Sequence, residues 1–334
     1  MSAEDLAGSI ARPRTAGTGR ALLLAERFAL PAIMVVTAVV FWVTQPAFGT
    51  SANIQAILSS QSVILVLAMG MIVPLIAGNF DLSIGSIASL SSIVAAKLMV
   101  EQGVPVLLAL ALGLVCAMAI GAFNGYLVAY ANLDALIATL GSSIVMTGII
   151  SWITNDLAVT GIPSGITRLA ITPVLGVPIL VLLALLAAAV VAYLTAQTPF
   201  GRRLTAIGSN RNAADLVGIG VRRLQLVSFV ISGFFGGIAG IMLLAQQGSG
   251  SPAVNPISLI LPALAALFLG ASAITPGQFN VLGTLIGLTL VSVLVSGLIL
   301  AGANTWVQSI VTGGALILAV ATSTALRRRR LGMR

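Results

Sequence analysis

The strongest constraint on this chain is a series of nearly unbroken apolar runs. Each is about 20 residues long, which is the length that an α-helix needs to cross the hydrocarbon core of a bilayer. Inside lipid every backbone N–H and C=O must be paired internally, so spanning segments are helices or a closed β-barrel. Barrel strands would be about ten residues long and would alternate apolar and polar side chains, and the runs show no such alternation. The sequence therefore predicts an all-α, polytopic membrane protein.

We predict about ten transmembrane helices, with a broken segment near Asp81 where a Gly-Asn-Phe-Asp sequence interrupts the apolar pattern. Only 7% of the residues are charged, whereas soluble domains have about 25%. The predicted spans are 28–44, 56–77, 83–100, 104–129, 134–153, 174–196, 224–246, 257–274, 281–301 and 306–326.

The basic residues predict the orientation of the spans. All but two of the 16 Lys and Arg residues lie in the N-terminal tail 1–27, the central loop 198–223 or the C-terminal tail 327–334. Basic segments of membrane proteins stay on the cytoplasmic side, so an even number of spans must separate these three segments. The assignment above satisfies this condition, as eight spans would. We expect both termini and the central loop to be cytoplasmic, around a membrane domain at 28–326.

Asp81 is the most unusual side chain, because it lies between two apolar runs. An acid near the membrane interior marks a candidate functional site. It can contact a transported solute, or it can cap the helix that follows, and the two roles can coexist. Nearby polar side chains can line the same path, although serines in membrane helices also bond their own backbone. The candidate pathway residues are Asn79, Asp81, Ser83, Ser86, Ser60, Gln61 and Asn124.

Two further patterns concern the ends of helices. Asp134 precedes another apolar run, and we interpret it as a helix cap. Residues 277–284 weakly repeat the pattern of residues 78–86, and both stretches join two apolar runs. Transporter halves often repeat, with sites at broken helices, although one short match can also arise by chance.

The loop 198–223 is the longest one predicted to be cytoplasmic. It predicts two short helices broken at Gly208, with Asn210 or Asn212 as a cap. Such a segment can lie in a groove of a cytoplasmic partner, with its apolar face inward. Alternatively, its Arg residues can hold it against anionic lipid.

Missing residue types exclude several functions. There is no phosphate-binding loop, and Lys97 is the only lysine, so the chain does not bind ATP by that route. There is no His, and the single Cys116 excludes an intrachain disulfide and a cysteine metal site. We expect no catalytic residues, no metal and no nucleic-acid partner, although the net charge is +8. The energy source for transport is expected in another subunit.

Three motifs occur in a fixed order: Ala-Gly-Asn-Phe-Asp-Leu-Ser-Ile-Gly-Ser at 77–86, Ala-Leu-Ile-Ala-Thr-Leu-Gly at 135–141, and Thr-Pro-Phe-Gly-Arg-Arg-Leu-Thr-Ala-Ile-Gly-Ser-Asn at 198–210. With them the chain resembles a permease subunit of the ribose/xylose/galactose-type bacterial ABC importers, from about residue 27 to residue 320. Asn79 and Phe80 stand where the family pattern has Gly-Ile, so the resemblance does not identify the sugar.

The resemblance implies a multi-pass protein of the bacterial inner membrane that works by alternating access. It implies a second permease copy or a paralogue, a cytoplasmic ABC ATPase that binds ATP and Mg, and an extracytoplasmic sugar-binding protein. It also implies that the central loop couples to the ATPase. The coupling residues that it indicates are Phe200, Gly201, Arg202, Arg203, Gly208, Asn210, Ala213, Ala214, Asp215 and Gly218.

Two other classes of function stay open at this point. An ion-coupled secondary carrier would transport its solute without any ATPase. A membrane scaffold would move no solute under any condition, and would tolerate the loss of Asp81 if that residue only caps a helix.

Overall fold

A computed structural model describes residues 16–330 of the chain, apart from 175 and 276. The predicted tails extend into residues 1–15 and 331–334, which lie outside the described residues. The described chain folds into helices and one short β-hairpin. These elements are α1 (Ala16–Thr44), α2 (Ser51–Ile76), α3 (Ile84–Val100), α4 (Val106–Ala129), α5 (Ala135–Thr154), α6 (Ser164–Ile171), β1 (Pro173–Val174), β2 (Val177–Pro178), α7 (Ile179–Ala196), α8 (Pro199–Ser209), α9 (Arg211–Leu216), α10 (Val221–Gln247), α11 (Pro256–Gly270), α12 (Val281–Leu300) and α13 (Trp306–Arg330).

The all-α, polytopic class is confirmed. Within the described residues, the 6 helices α2, α4, α5, α7, α10 and α12 are long and apolar enough to cross a membrane. Shorter apolar helices at Phe28–Thr44, Ile84–Val100, Pro256–Gly270 and Trp306–Ala321 coincide with the other predicted spans. The total of ten crossings stays a prediction.

Several predicted helix boundaries differ from the observed ones, among them those of α2, which begins at Ser51, and of α11, which ends at Gly270. Helix α1 begins at Ala16 and α13 continues to Arg330, so both helices extend into the segments predicted as tails. The span predicted to start at 174 starts instead at Ile179, because Pro173–Val174 pairs antiparallel with Val177–Pro178 before the helix begins. Proline at both of its paired ends and a left-handed Gly176 (φ 79°) favour this turn over a helix.

Helix α10 lies at the centre of the bundle and packs against α2, α3 and α4. Small residues allow membrane helices to approach this closely. A Cβ on Gly233 of α10 would lie 2.5 Å from the Ala117 carbonyl oxygen of α4. On the opposite side of the contact, a Cβ on Gly121 would meet the Phe229 carbonyl oxygen. The α4–α10 contact is therefore made backbone to backbone.

One end of the bundle carries α8 and α9, and we call it the basic end because their arginines are exposed there. The turns between α2 and α3 and between α11 and α12 also lie at this end. The two stretches of the weak sequence match share a local feature, since Gly78 (φ 86°) and Gly277 (φ 84°) are both left-handed. The rings of Phe80 and Phe279 both pack on Phe268, at centroid distances of 6.2 and 5.4 Å.

Candidate functional site

The turn between α2 and α3 places Asp81 between two helix ends. Helix α2 ends at Ile76, and the N–H groups of Ala77 and Asn79 both donate to the carbonyl of Pro74. The positive φ of Gly78 then directs the chain away from the helix axis, a conformation that glycine adopts readily. Residues 77–83 are therefore the non-helical segment that the sequence predicted near Asp81.

The Asp81 carboxylate is buried, with 1% of the residue exposed, and both of its oxygens accept hydrogen bonds. Oδ1 accepts from the Ser83 backbone N–H at 3.0 Å and from the Ser83 hydroxyl at 2.5 Å. Oδ2 accepts from the Ser232 hydroxyl of α10 at 2.6 Å. A charge removed from water must be compensated by such bonds. Among the described residues, the one ion pair joins Lys97 and Glu101, so Asp81 has no basic partner there. Hydroxyl and backbone amide groups stabilise its charge instead.

Further polar side chains join this network. The Asn124 side-chain amide donates to the Ser83 hydroxyl oxygen at 2.8 Å. We call Asp81, Ser83, Asn124 and Ser232 the carboxylate cluster, and each of them is at most 1% exposed. It joins the α2–α3 turn to α4 and α10.

The same segment is also tied to α5. The N–H of Leu82 donates to the Thr139 hydroxyl at 3.2 Å, and the hydroxyls of Ser86 and Ser143 lie 2.5 Å apart. Three helices thus hold the turn in one position, and the sequence alone did not identify Ser232, Thr139 or Ser143.

The capping role predicted for Asp81 is only partly observed. Ser83 is the N-cap residue of α3, and its side chain makes no capping bond. Asp81 accepts from the N–H of Ser83 itself, which shapes the turn before the helix. Asp134, in contrast, is the predicted N-cap of α5 and accepts from the N–H groups of Leu136 and Ile137 at 3.0 and 3.2 Å.

The other predicted pathway residues fall into two places. Asn79 (9% exposed) lies in the same turn as Asp81, and Ser86 (0% exposed) lies in the first turn of α3, which follows it. Ser60 and Gln61 lie in the first half of α2, away from the cluster. The Ser60 hydroxyl is exposed and donates to its own helix at the Ile57 carbonyl, 3.0 Å away, as the alternative reading expected.

The loop 198–223 forms the two short helices that were predicted. Thr198 caps α8 by accepting from the Gly201 N–H at 3.4 Å, and Asn210 caps α9 by accepting from the Ala213 N–H at 2.9 Å. The predicted break at Gly208 is wrong, because Gly208 lies inside α8 and the break comes at Asn210. Helix α8 ends just before Asn210, because the side chain of Asn210 caps the N-terminus of α9.

Gly208 marks a close contact between α8 and the carboxylate turn. A Cβ at this position would overlap the Ile76 carbonyl oxygen at the end of α2. Conversely, a Cβ on Gly78 would lie 3.8 Å from the Gly208 Cα. Helix α8 therefore lies directly against the segment that leads to Asp81.

Helices α8 and α9 have an inward and an outward face. Gly201, Leu204, Ile207 and Ala214 are buried, so Gly201 and Ala214 set the position of the segment and present no side chain to a partner. The exposed residues carry both charge signs. Of the predicted coupling residues, the exposed ones are Arg202, Arg203, Asn210, Ala213, Asp215 and Gly218, while Phe200 is half-buried. Arg211, which follows Asn210, is exposed as well.

Two large apolar side chains project from the end of α9. Leu216 is 88% exposed and Val217 is 75% exposed. The sequence analysis did not identify this pair. The signal that could have found it is the presence of two adjacent large apolar residues directly after Asp215 in a polar loop. Adjacent exposed apolar side chains with a polar rim are typical of a contact surface.

At the opposite end of the bundle, two loops are joined. The backbones of Val159 and Gly250 exchange two hydrogen bonds of 2.9 Å. A hollow of about 640 Å³ lies beside this bridge. Its polar lining residues are Gln247, Ser249, Ser251, Asn255 and Ser258.

Comparison with known proteins identifies the family. A family profile described as "Branched-chain amino acid transport system / permease component" matches residues 53–320. The D-allose transport system permease protein of Escherichia coli (strain K12) is 31% identical over 274 residues, covering 82% of this chain and 84% of that protein. The ribose import permease protein of Bacillus subtilis (strain 168) is 34% identical over 280 residues, covering 83% and 86%.

A third relative is the xylose transport system permease protein of Escherichia coli (strain K12), 30% identical over 361 aligned positions that cover 90% of this chain and 92% of that protein. No solved structure gives a significant match. The chain belongs to the family of branched-chain amino acid transport system permease components, and its relatives confirm the resemblance to permease subunits of sugar importers.

Proposed function

We propose that the chain is the membrane-spanning permease subunit of an ABC importer that moves a monosaccharide or related polar solute into the cytoplasm. It resides in the bacterial inner membrane with both termini cytoplasmic, and it pairs with a second copy or a paralogue. A separate ATPase binds ATP and Mg and supplies the energy. The permease relatives for allose, ribose and xylose support the solute class.

The exposed pair Leu216 and Val217 is the observation that carries this proposal. The pair lies beyond the α8–α9 segment, whose other face is packed into the bundle. Anionic lipid would favour a purely basic rim around such a pair. The rim here also contains exposed Asp215, and mixed charge favours the groove of a cytoplasmic ATPase.

The contacts of α8 suggest how the ATPase acts on the path. Helix α8 touches the end of α2 through Gly208 and the Ile76 carbonyl, so a movement of α8 shifts the turn that carries Asp81. The carboxylate cluster at this end is closed and buried. We infer that it forms the inner gate, and that nucleotide-driven movement of α8 opens and closes it.

The opposite end fits the second partner. The bridge between Val159 and Gly250 joins two polar loops into one surface, and the hollow beside it offers hydroxyl and amide groups. Such groups suit a hydroxylated solute that a sugar-binding protein releases there. Coupling between the two ends is reciprocal, so a loaded binding protein biases the nucleotide state of the ATPase.

Co-purification tests the proposal. The chain is solubilised gently from its native membrane as wild type, as a Leu216→Ser/Val217→Ser double variant, and as the control Asn212→Ala, which alters another exposed α9 residue. We expect an ATPase to co-purify with the wild type and with the control variant, but not with the double variant. If no ATPase accompanies wild type, and solute uptake collapses with an uncoupler, the chain is an ion-coupled carrier and the proposal is wrong.

A further inference from the structure

Three buried side-chain polar atoms on the elements that form the carboxylate cluster (the α2–α3 turn, α4 and α10) have no hydrogen-bond partner among the described residues. They are Nδ2 of Asn79, Oδ1 of Asn124 and Oε1 of Gln225. Their residues are 9%, 0% and 1% exposed. Buried polar atoms in native proteins are nearly always paired, so an unpaired group requires an explanation. The fourth such atom, Oγ of Ser91, lies elsewhere, against Gly113 of α4.

The network itself determines which Asn124 atom is left free. The Ser83 hydroxyl has a single proton, which it donates to the Asp81 carboxylate. Ser83 can therefore only accept from Asn124, and the NH₂ group of Asn124 must face it. A rotated amide would bring two acceptor oxygens together. The carbonyl oxygen of Asn124 is thus left as an acceptor that needs a donor.

Gln225 lies on the face of α10 that meets this network. Residues 225, 228 and 232 follow helical spacing, all three are buried, and Ser232 binds Asp81. A Cβ on Gly125, the neighbour of Asn124, would lie 3.0 Å from the Cα of Leu226, the neighbour of Gln225. Where α4 and α10 touch, Asn124 and Gln225 therefore lie at about the same height along the two helices.

We propose that Asn79, Asn124 and Gln225 form an inner contact site for hydroxyl groups on the transport path. This inference rests on the proposed function, and it adds Gln225 as a residue of that path. Two acceptors and one donor suit hydroxyl groups, because each hydroxyl both donates and accepts. Water and a sugar share this chemistry. The site shares Asn124 with the carboxylate cluster, so opening of the inner gate exposes it.

Cysteine labelling tests the site directly. Gln225→Cys is introduced into a Cys116→Ala background, which removes the chain's single cysteine. The complex with its ATPase is treated with a small charged methanethiosulfonate reagent, without nucleotide and with a non-hydrolysable ATP analogue. Phe229→Cys, one turn away at a fully buried apolar position of α10, is the control. We expect labelling of position 225 in one nucleotide state and no labelling of position 229.

Addition of D-ribose, D-xylose or D-allose at millimolar concentration distinguishes the two sources of hydroxyl groups. If a sugar slows the labelling of position 225, a sugar occupies the site. If labelling proceeds equally with every sugar, the site holds water. Position 225 remaining unreactive in every nucleotide state, in a complex that hydrolyses ATP, overturns the proposal.

Uptake measurements with matched variants give a second readout. Gln225→Met keeps the length of the side chain but removes the acceptor, and we expect uptake to fall about tenfold, as for the loss of one hydrogen bond. Gln225→Asn keeps an amide and should retain part of the uptake. Ser228→Ala is the control, since the Ser228 hydroxyl donates to its own helix at the Gln225 carbonyl. If the Gln225→Met and Ser228→Ala variants take up solute equally well, the proposal is wrong. If wild type itself imports no solute and binds no ATPase, the proposed function fails instead.

Discussion

At the scale of single residues, Asp81 shows how a carboxylate is accommodated inside an apolar bundle with no basic partner among the described residues. Its oxygens receive bonds from Ser83 and Ser232, and hydrogen bonds to a charged group are stronger than neutral ones. The sequence indicated Asp81 because an acid between apolar runs is conspicuous. It did not indicate Ser232, because that contact spans 151 positions of the chain and exists only after α10 packs on the turn.

Removal of the Asp81 carboxylate should strongly destabilise the protein. Asp81→Ala leaves three buried donor groups without their acceptor. Hydrogen bonds to charged groups contribute about 1.5–3 kcal/mol each, so we expect the free energy of unfolding to fall by about 3 kcal/mol or more. Thermal unfolding in detergent measures the change.

Asp134→Ala is the control, because it removes only an exposed helix cap and should cost about 1 kcal/mol. Equal destabilisation by the two variants would show that the carboxylate cluster does not hold the α2–α3 turn.

At the scale of elements, apolar run length located the helices, and side-chain chemistry located their ends. The predicted caps Asp134 and Asn210 are observed. Gly208 was misread as a break, because glycine disfavours helices in isolation. In the fold it is the residue small enough for α8 to touch the Ile76 carbonyl. That reason is tertiary, so no local pattern reveals it.

An added methyl group at Gly208 should uncouple ATP hydrolysis by the bound ATPase from solute uptake. Gly208→Ala pushes α8 away from α2, whereas Leu216 and Val217 remain free to bind the ATPase. We expect the ATPase to co-purify but solute uptake to fall about tenfold, within the usual range of coupling energies. Proteoliposome uptake, with ATP hydrolysis followed in parallel, measures this.

Gly220→Ala serves as the comparison in the same loop, since a Cβ there meets nothing within 4 Å. Uptake by Gly208→Ala that matches Gly220→Ala would rule out the α8–α2 contact as the route of coupling.

The α4–α10 contact makes a separate prediction about stability. Gly121→Ala places a methyl group against the Phe229 carbonyl, and the two helices must separate. Overpacking of this kind costs about 1–3 kcal/mol, which should appear as a lower unfolding temperature in detergent. Gly141→Ala on α5, where a Cβ meets nothing within 4 Å, should unfold like wild type, and a similar loss in both variants would refute the explanation.

At the scale of the whole molecule, the proposed function assigns different roles to the two ends of the bundle. The basic end carries α8, α9 and the carboxylate cluster, and the opposite end carries the bridged loops and the polar hollow. Apolar run length and charge distribution were enough to predict the class of fold and the position of the long loop that forms α8 and α9. They were not enough to show which loops meet, because that depends on how the helices pack in three dimensions.

The assignment of the two ends predicts opposite accessibility on either side of α10. In the Cys116→Ala background, Asn212→Cys precedes α10 and Ser249→Cys follows it. We expect a membrane-impermeant maleimide to label Ser249→Cys in intact spheroplasts and Asn212→Cys only in inside-out vesicles, because basic segments stay cytoplasmic. Labelling of both from one side would mean that α10 does not cross the membrane. A reversed pattern would place Leu216 and Val217 outside the cell, where no ATPase could reach them, and would overturn the importer function as a whole.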